Sequence, residues 1–152
     1  MPTRRLLILA ALLLPVLIGP QARALESYQT AQLTIDTAAG PRKFAVEVAL
    51  TEPQREQGLM YRRSMAPDAG MLFDMGGMQT VMMWMKNTLI PLDMLFLDQS
   101  GRIVDLHERA VPLSLETIAT RAPARYVIEL NGGTVERLGI KIGDRVTSPY
   151  IK

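Results

Sequence analysis

Past its first two dozen residues, the chain alternates apolar and polar positions in short runs. "YQTAQLTIDT" turns Ala31, Leu33 and Ile35 inward and its polar residues outward, which predicts a half-buried strand. "KFAVEVAL" repeats the pattern, with Phe44, Val46, Val48 and Leu50 inward and Lys43, Ala45, Glu47 and Ala49 outward. "AAGP" between them is turn chemistry, so the two form a hairpin. "TEPQREQGLMYRR" breaks the alternation. Thr51 is a helix cap, Pro53 stands in the first turn, Gln54 completes a capping box and Gly58 ends a short helix. Further strands follow in "GMLFD", "VMMWMKN", "DMLFLD", "RIVDLHE", "RYVIEL" and "RVTSPYI", with "DQSGR" as a second hairpin turn. "LSLETIAT" reads as a short helix or an irregular loop. "GGTVERLGI" holds one helical turn opened by Thr134, and "KIGDRV" turns into the last strand. About eight short strands with one or two short helices predict a mainly β fold, a sandwich or partly closed barrel. An α+β sheet covered by one helix is the alternative.

The beginning of the chain belongs to a different class. Arg4 and Arg5 precede an apolar run, Leu6 to Ile18, and then the small-x-small site Ala22-Arg23-Ala24. That order predicts a secretory signal peptide over residues 1–24, cleaved after Ala24, and a periplasmic or secreted protein. The run is shorter than the roughly 20 residues that span a bilayer, so no stable membrane span is expected after cleavage; an uncleaved anchor is the alternative. Removing Arg4, Arg5 and Arg23 leaves 14 of the 17 basic residues against 15 acidic ones. The remaining 128 residues are expected to form one domain, residues 25–152. They carry no basic cluster interleaved with aromatics, which argues against a nucleic-acid partner. There is no cysteine, hence no disulfide and no lipidated amino terminus.

Candidate chemistry is sparse. His107 is the sole histidine, which excludes a two-histidine zinc site, and no nucleophile elbow or phosphate-binding glycine loop is present. In "VDLHE", Val104 and Leu106 read as the inward face, leaving His107 outward with Ile103 and Asp105 and solvated. After Met1, the other nine methionines all fall between Met60 and Met94. Thioethers are soft Cu(I) ligands, so Met82, Met83 and Met85 are candidate copper ligands, against the plainer reading of Met as core filler. No cofactor is otherwise predicted. The segment "VMMWMKNTLIPLD" raises a sharper question. Both of its faces are apolar over most of their length, so it reads as a strand covered on both sides, with Lys86 at its end. A buried ammonium requires a carboxylate or an escape to solvent past Trp84. Asp93 and Glu129 are the candidate partners, Glu129 lying on the strand face opposite Tyr126, Ile128 and Leu130.

Four segments together resemble the DUF192 (UPF0127) family. "REQGLMYRRSM" is similar to its R-x-x-G-L-M-x-R pattern at Arg55, Gly58, Leu59, Met60 and Arg62. "GMLFDM" is similar to G-M-L-F-x-F, with Met75 in place of the aromatic. "WMKNTLIPLDMLFLDQSGRIV" fits at Trp84, Met85, Lys86, Asn87, Thr88, Pro91, Leu92, Asp93 and Phe96. "YVIELNGGTVERLGIKIGDRV" fits at Glu129, Gly132 or Gly133, Gly139, Gly143 and Asp144. The match runs from about Leu33 to Val146. The resemblance implies a compact, mainly β, exported domain and carries no activity with it. It also makes Met60, Met71 and Met85 ordinary family positions.

The functional expectation is a small extracytoplasmic binding or accessory module. Its polar centre would be Lys86, Asn87, Asp93 and Glu129, walled by Trp84, and its partner a small ligand or an envelope protein. The alternative is a hydrolase or lyase using Asp93 or Glu129 as general base with Lys86 as electrostatic stabiliser; no nucleophile in the sequence supports catalysis. A structural network pinning strand register is the plainest reading of the same residues.

Overall fold

The computed structural model describes residues 25–152; the expected signal peptide and its cleavage site lie outside the described residues. In chain order the elements are β1 (Gln29–Thr37), β2 (Gly40–Ala49), α1 (Glu52–Gln57), β3 (Ala69–Gln79), β4 (Met82–Met83), β5 (Leu92–Leu97), β6 (Ile103–Ala110), β7 (Ile118–Ala119), β8 (Ala124–Asn131), α2 (Thr134–Leu138) and β9 (Arg145–Thr147). Seven strands form one sheet in the order β6-β5-β8-β3-β2-β1-β9, and β4 pairs with β7 in a separate ribbon. The fold is mainly β, a curled half-barrel.

Alternation sets the first hairpin as expected: Leu33 lies opposite Phe44 and Ala31 opposite Val46. β3 runs parallel to β2, so the chain must cross over between them. α1 lies in that crossover. Its Thr51 hydroxyl accepts from the Gln54 N–H, and the Gln54 side chain accepts from the Thr51 N–H at 3.1 Å, a reciprocal capping box. The barrel is drawn toward closure at its ends. β9 pairs with β1, and the backbone around Gly101–Ile103 bonds to Gly143, Asp144 and Val146 at 2.7–3.0 Å.

Strands β3, β5 and β8 feed two apolar layers, one on each face. The inner layer holds Leu33, Ile35, Phe44, Val46, Leu72, Leu95, Tyr126 and Ile128. The outer layer holds Met71, Phe73, Met94, Phe96 and Val127, covered by Val81, Met85 and Ile90 from the segment after β3. Each large side chain buried completely here contributes on the order of 1.5–3 kcal/mol.

Several expectations are corrected. "VMMWMKN" is a strand only at Met82–Met83. It is covered on one side, not two: Val81 and Met85 are buried, while Met82 and Trp84 are 69 % and 49 % exposed. "LSLETIAT" is neither helix nor loop throughout, because Ile118–Ala119 forms β7 against β4. Leu50 lies outside β2 and is exposed, while Ala49 is buried in the outer layer, where the chain leaves the barrel. In β6 it is Ile103 and Asp105 that are buried; His107 is exposed, as expected. Asp105 tolerates burial because Arg121 reaches it through its guanidinium and its backbone N–H (2.8 Å), and the Leu106 N–H adds a third donor group. Burial alone would raise the Asp105 carboxyl; the Arg121 bonds outweigh it and hold it below its ordinary value.

Candidate functional site

A cleft of about 380 Å³ opens between α1 with the following Gly58–Met60 turn on one side and Met82–Trp84 on the other. Phe73 and Glu129 form its floor, and Thr88 and Met75 contribute to its walls. Local backbone demands build the entrance. Gly58 has φ of 47°, and a Cβ there would meet the Phe73 ring at 3.3 Å, so only glycine lets the turn lie this close to the floor. Opposite, the Thr88 N–H bonds to the Met85 carbonyl at 3.0 Å, closing a tight turn through Lys86 and Asn87. Asn87 takes the left-handed conformation (φ 55°), which asparagine tolerates better than most residues. Its carbonyl accepts from the Tyr61 N–H at 2.9 Å, and its side-chain amide donates to the Tyr61 hydroxyl at 3.0 Å. Asn87 therefore ties the two walls together. Asn87→Ala should cost on the order of 1–2 kcal/mol, the sum of a lost hydrogen bond and left-handed strain. Urea unfolding measures this, and an unchanged midpoint would remove Asn87 from that role.

Glu129 is the chemically distinctive group. It sits on β8 between Met71 of β3 and Met94 of β5, both fully buried. It is 4 % exposed, and burial pushes its carboxyl up to about 8. No hydrogen bond or ion pair to its side chain is formed among the described residues. Asp93 is different. Although one position from Met94, it points to the opposite face, because the β5–β8 register sets Met94 across from Glu129. There its carboxylate accepts from the backbone N–H groups of Arg109, Gly133 and Val135 at 2.8–3.0 Å. It satisfies the start of α2, whose own N-cap, Gly133, has no side chain to do so.

The residues expected to form one polar centre are therefore distributed. Trp84 and Glu129 share the cleft. Trp84, Lys86 and Asn87 share an adjoining hollow of about 540 Å³ with Leu25, Gln57, Met60 and Tyr61. Asp93 lines neither. The expected ion pair of Lys86 with Asp93 or Glu129 is absent: Lys86 is exposed, and its ammonium stands 5.0 Å from the Trp84 ring centroid. The reason is the uncovered outer face of this segment, which leaves the ammonium in water with no desolvation to offset. The methionines sort likewise. Met82 and Met83 line the cleft together with Met60 and Met75, while Met85 is buried beneath them as core. The expected Met82, Met83 and Met85 trio is thus split between the cleft and the outer apolar layer. Leu59, Phe73 and Thr88 lie in the family-like segments but are not among the residues expected at the site. Phe73 is one apolar residue in an apolar strand, and nothing local distinguishes it.

Residues 32–148 match the family DUF192, described as Uncharacterized ACR. The chain belongs to the DUF192 family. Solved structures share this fold. A Sinorhizobium meliloti 1021 protein, described as a candidate transcription regulator, is 53 % identical, with a TM-score of 0.79 over 82 % of this chain and 98 % of its own. A Novosphingobium aromaticivorans DSM 12444 protein of unknown function is 32 % identical, with a TM-score of 0.78 over 86 % of this chain and 94 % of its own. A search of curated proteins returned no match to this DUF192 chain.

Proposed function

We propose that this DUF192 protein is an exported binding module whose ligand site is the cleft floored by Glu129. The observation that carries the reading is a buried carboxyl, unpaired among the described residues, at the bottom of a cleft with aromatic and thioether walls. An acid that gains nothing from its native surroundings costs stability, and such groups concentrate at functional sites. The only tryptophan, Trp84, stands at the wall and reports occupancy directly. A small-molecule screen by thermal shift and Trp84 fluorescence should yield compounds that stabilise the protein. Trp84→Ala should weaken them, and binders indifferent to both Trp84→Ala and Glu129→Gln would place the site elsewhere.

Catalysis by the same carboxyl is a second reading, favoured by the value of about 8, which suits a proton donor and acceptor near neutral pH. It requires turnover that Glu129→Gln abolishes. Among the described residues no helix is long and apolar enough to cross a membrane.

Export rests on Arg4-Arg5, the Leu6 to Ile18 run and Ala22-Arg23-Ala24. Amino-terminal sequencing of the protein from its native cell envelope should read Leu25 first. A Met1 end retained in the membrane fraction would overturn this.

A further inference from the structure

Three carboxylates are buried among the described residues: Asp93, Asp105 and Glu129. The fold supplies donors to two of them. Asp93 has three backbone N–H groups, and Asp105 has the Arg121 guanidinium and two backbone N–H groups. Glu129 alone has none, and it alone lines a cleft. Its carboxyl is thus the one buried acid of the three that faces the cleft. The other charged groups facing the cleft all come from α1: Glu52, Arg55 and Glu56. Arg55 is already committed, donating to the Leu50 carbonyl at 2.7 Å and the Asp74 carbonyl at 3.1 Å. β3 and the Met82–Trp84 wall add Phe73, Met75, Gln79, Met82, Met83 and Trp84, none of them charged. Glu129 and Glu52 thus face a cleft walled by Phe73, Met75, Met82, Met83 and Trp84, with Gln57, Gln79 and Thr88 as its neutral polar groups. The Lys86 ammonium stands 5.0 Å from the Trp84 ring centroid and lines the adjoining hollow, not the cleft.

We propose that the cleft binds an organic monocation, a primary ammonium on an apolar or aromatic body, with the ammonium against Glu129 and the body against Phe73, Met83 and Trp84. This deepens the binding reading and rests on it. Binding is then linked to proton release. At pH 7 the free site holds its proton, since burial sets that group at about 8. An ammonium selects the ionised carboxylate and expels the proton. Affinity therefore rises up to about tenfold per pH unit below 8 and levels off above it. A neutral ligand would show the reverse, because it accepts a hydrogen bond from the protonated acid.

The test is calorimetric titration of the purified protein with 2-phenylethylammonium, 2-phenylethanol and 3-phenylpropionate at pH 6, 7 and 8. Buffers of differing ionisation enthalpy count protons. The ammonium should bind, preferred over the other two, with a Kd that falls by about tenfold between pH 6 and 7 and close to one proton released at pH 7. Glu129→Gln should lose both the preference and the pH dependence while still binding 2-phenylethanol, which shows the variant folded. Trp84→Ala should weaken all binding. If the alcohol binds as well as the ammonium, or Glu129→Gln keeps the ammonium preference, the cation inference falls and the cleft remains a site. If none of the three binds and Trp84 fluorescence does not move, the cation inference falls together with the cleft as a site for ligands of this size.

Discussion

Asp93→Ala should lower the stability of the protein by about 4–5 kcal/mol, close to the whole stability of a domain at the low end of the usual range of roughly 5–15 kcal/mol. The estimate follows from what the carboxylate holds. It accepts three backbone N–H groups from two elements, Arg109 at the end of β6 and Gly133 and Val135 at the start of α2. Each donor buried without an acceptor costs roughly 1–3 kcal/mol, and a carboxylate acceptor puts each bond at the upper part of the usual range. Val135 is itself 3 % exposed, part of the inner layer, so losing the cap also loosens the plug at that end of the barrel. Asp93→Asn keeps one acceptor oxygen and should cost about half as much. Urea midpoints measure both. A loss below about 1.5 kcal/mol for alanine would show that water replaces the carboxylate, and that the start of α2 does not depend on it.

The second large effect has the opposite sign. Glu129 is raised from 4.5 to about 8 by burial, so the native state keeps its proton through a range in which the unfolded chain loses it. Below about pH 4.5 both states are protonated, and the group does not oppose folding. Between 4.5 and 8 the unfolded state is progressively favoured, by about 1.4 kcal/mol per pH unit, and above 8 the penalty is constant. At pH 7 this amounts to on the order of 3 kcal/mol. Glu129→Gln should therefore match the parent near pH 4.5, exceed it by that amount at pH 7, and lack its slope in between. Equilibrium unfolding at pH 5, 6, 7 and 8 gives the profile directly; parallel curves for the two proteins would show that Glu129 is solvated in the native state. A residue kept at such a cost to stability is what a binding role predicts.

Much of the fold was legible because it is local. The alternation of Ala31, Leu33 and Ile35 against Phe44, Val46 and Val48 places the first hairpin, and Thr51, Pro53, Gln54 and Gly58 bound α1 as expected. β7 was missed because "LETIAT" has no periodicity over two residues, and its pairing with Met82–Met83 is a tertiary fact. The site was half legible. Trp84 and Glu129 do share a cleft. Asp93 and Glu129 both looked like partners for Lys86, yet their separation onto opposite faces is fixed by the register of β5 on β8, which no single strand encodes. The alternation of Met82, Trp84 and Lys86 onto one face was correct. An apolar face need not be covered: this one stays open, with Met82 and Trp84 on the cleft and Lys86 on the adjoining hollow.

The near-closure of the barrel bears on how the chain is made. β1 is synthesised well before β9, and its outer edge waits for Arg145–Thr147. The same short stretch also meets the start of β6 through the Arg102–Arg145 bridge. Until it arrives, two strand edges stand unpaired at once, and such edges recruit other chains. For a nascent polypeptide Arg145–Thr147 thus acts as a seal, and a chain released before Arg145 is an aggregation hazard whatever the quality of its core.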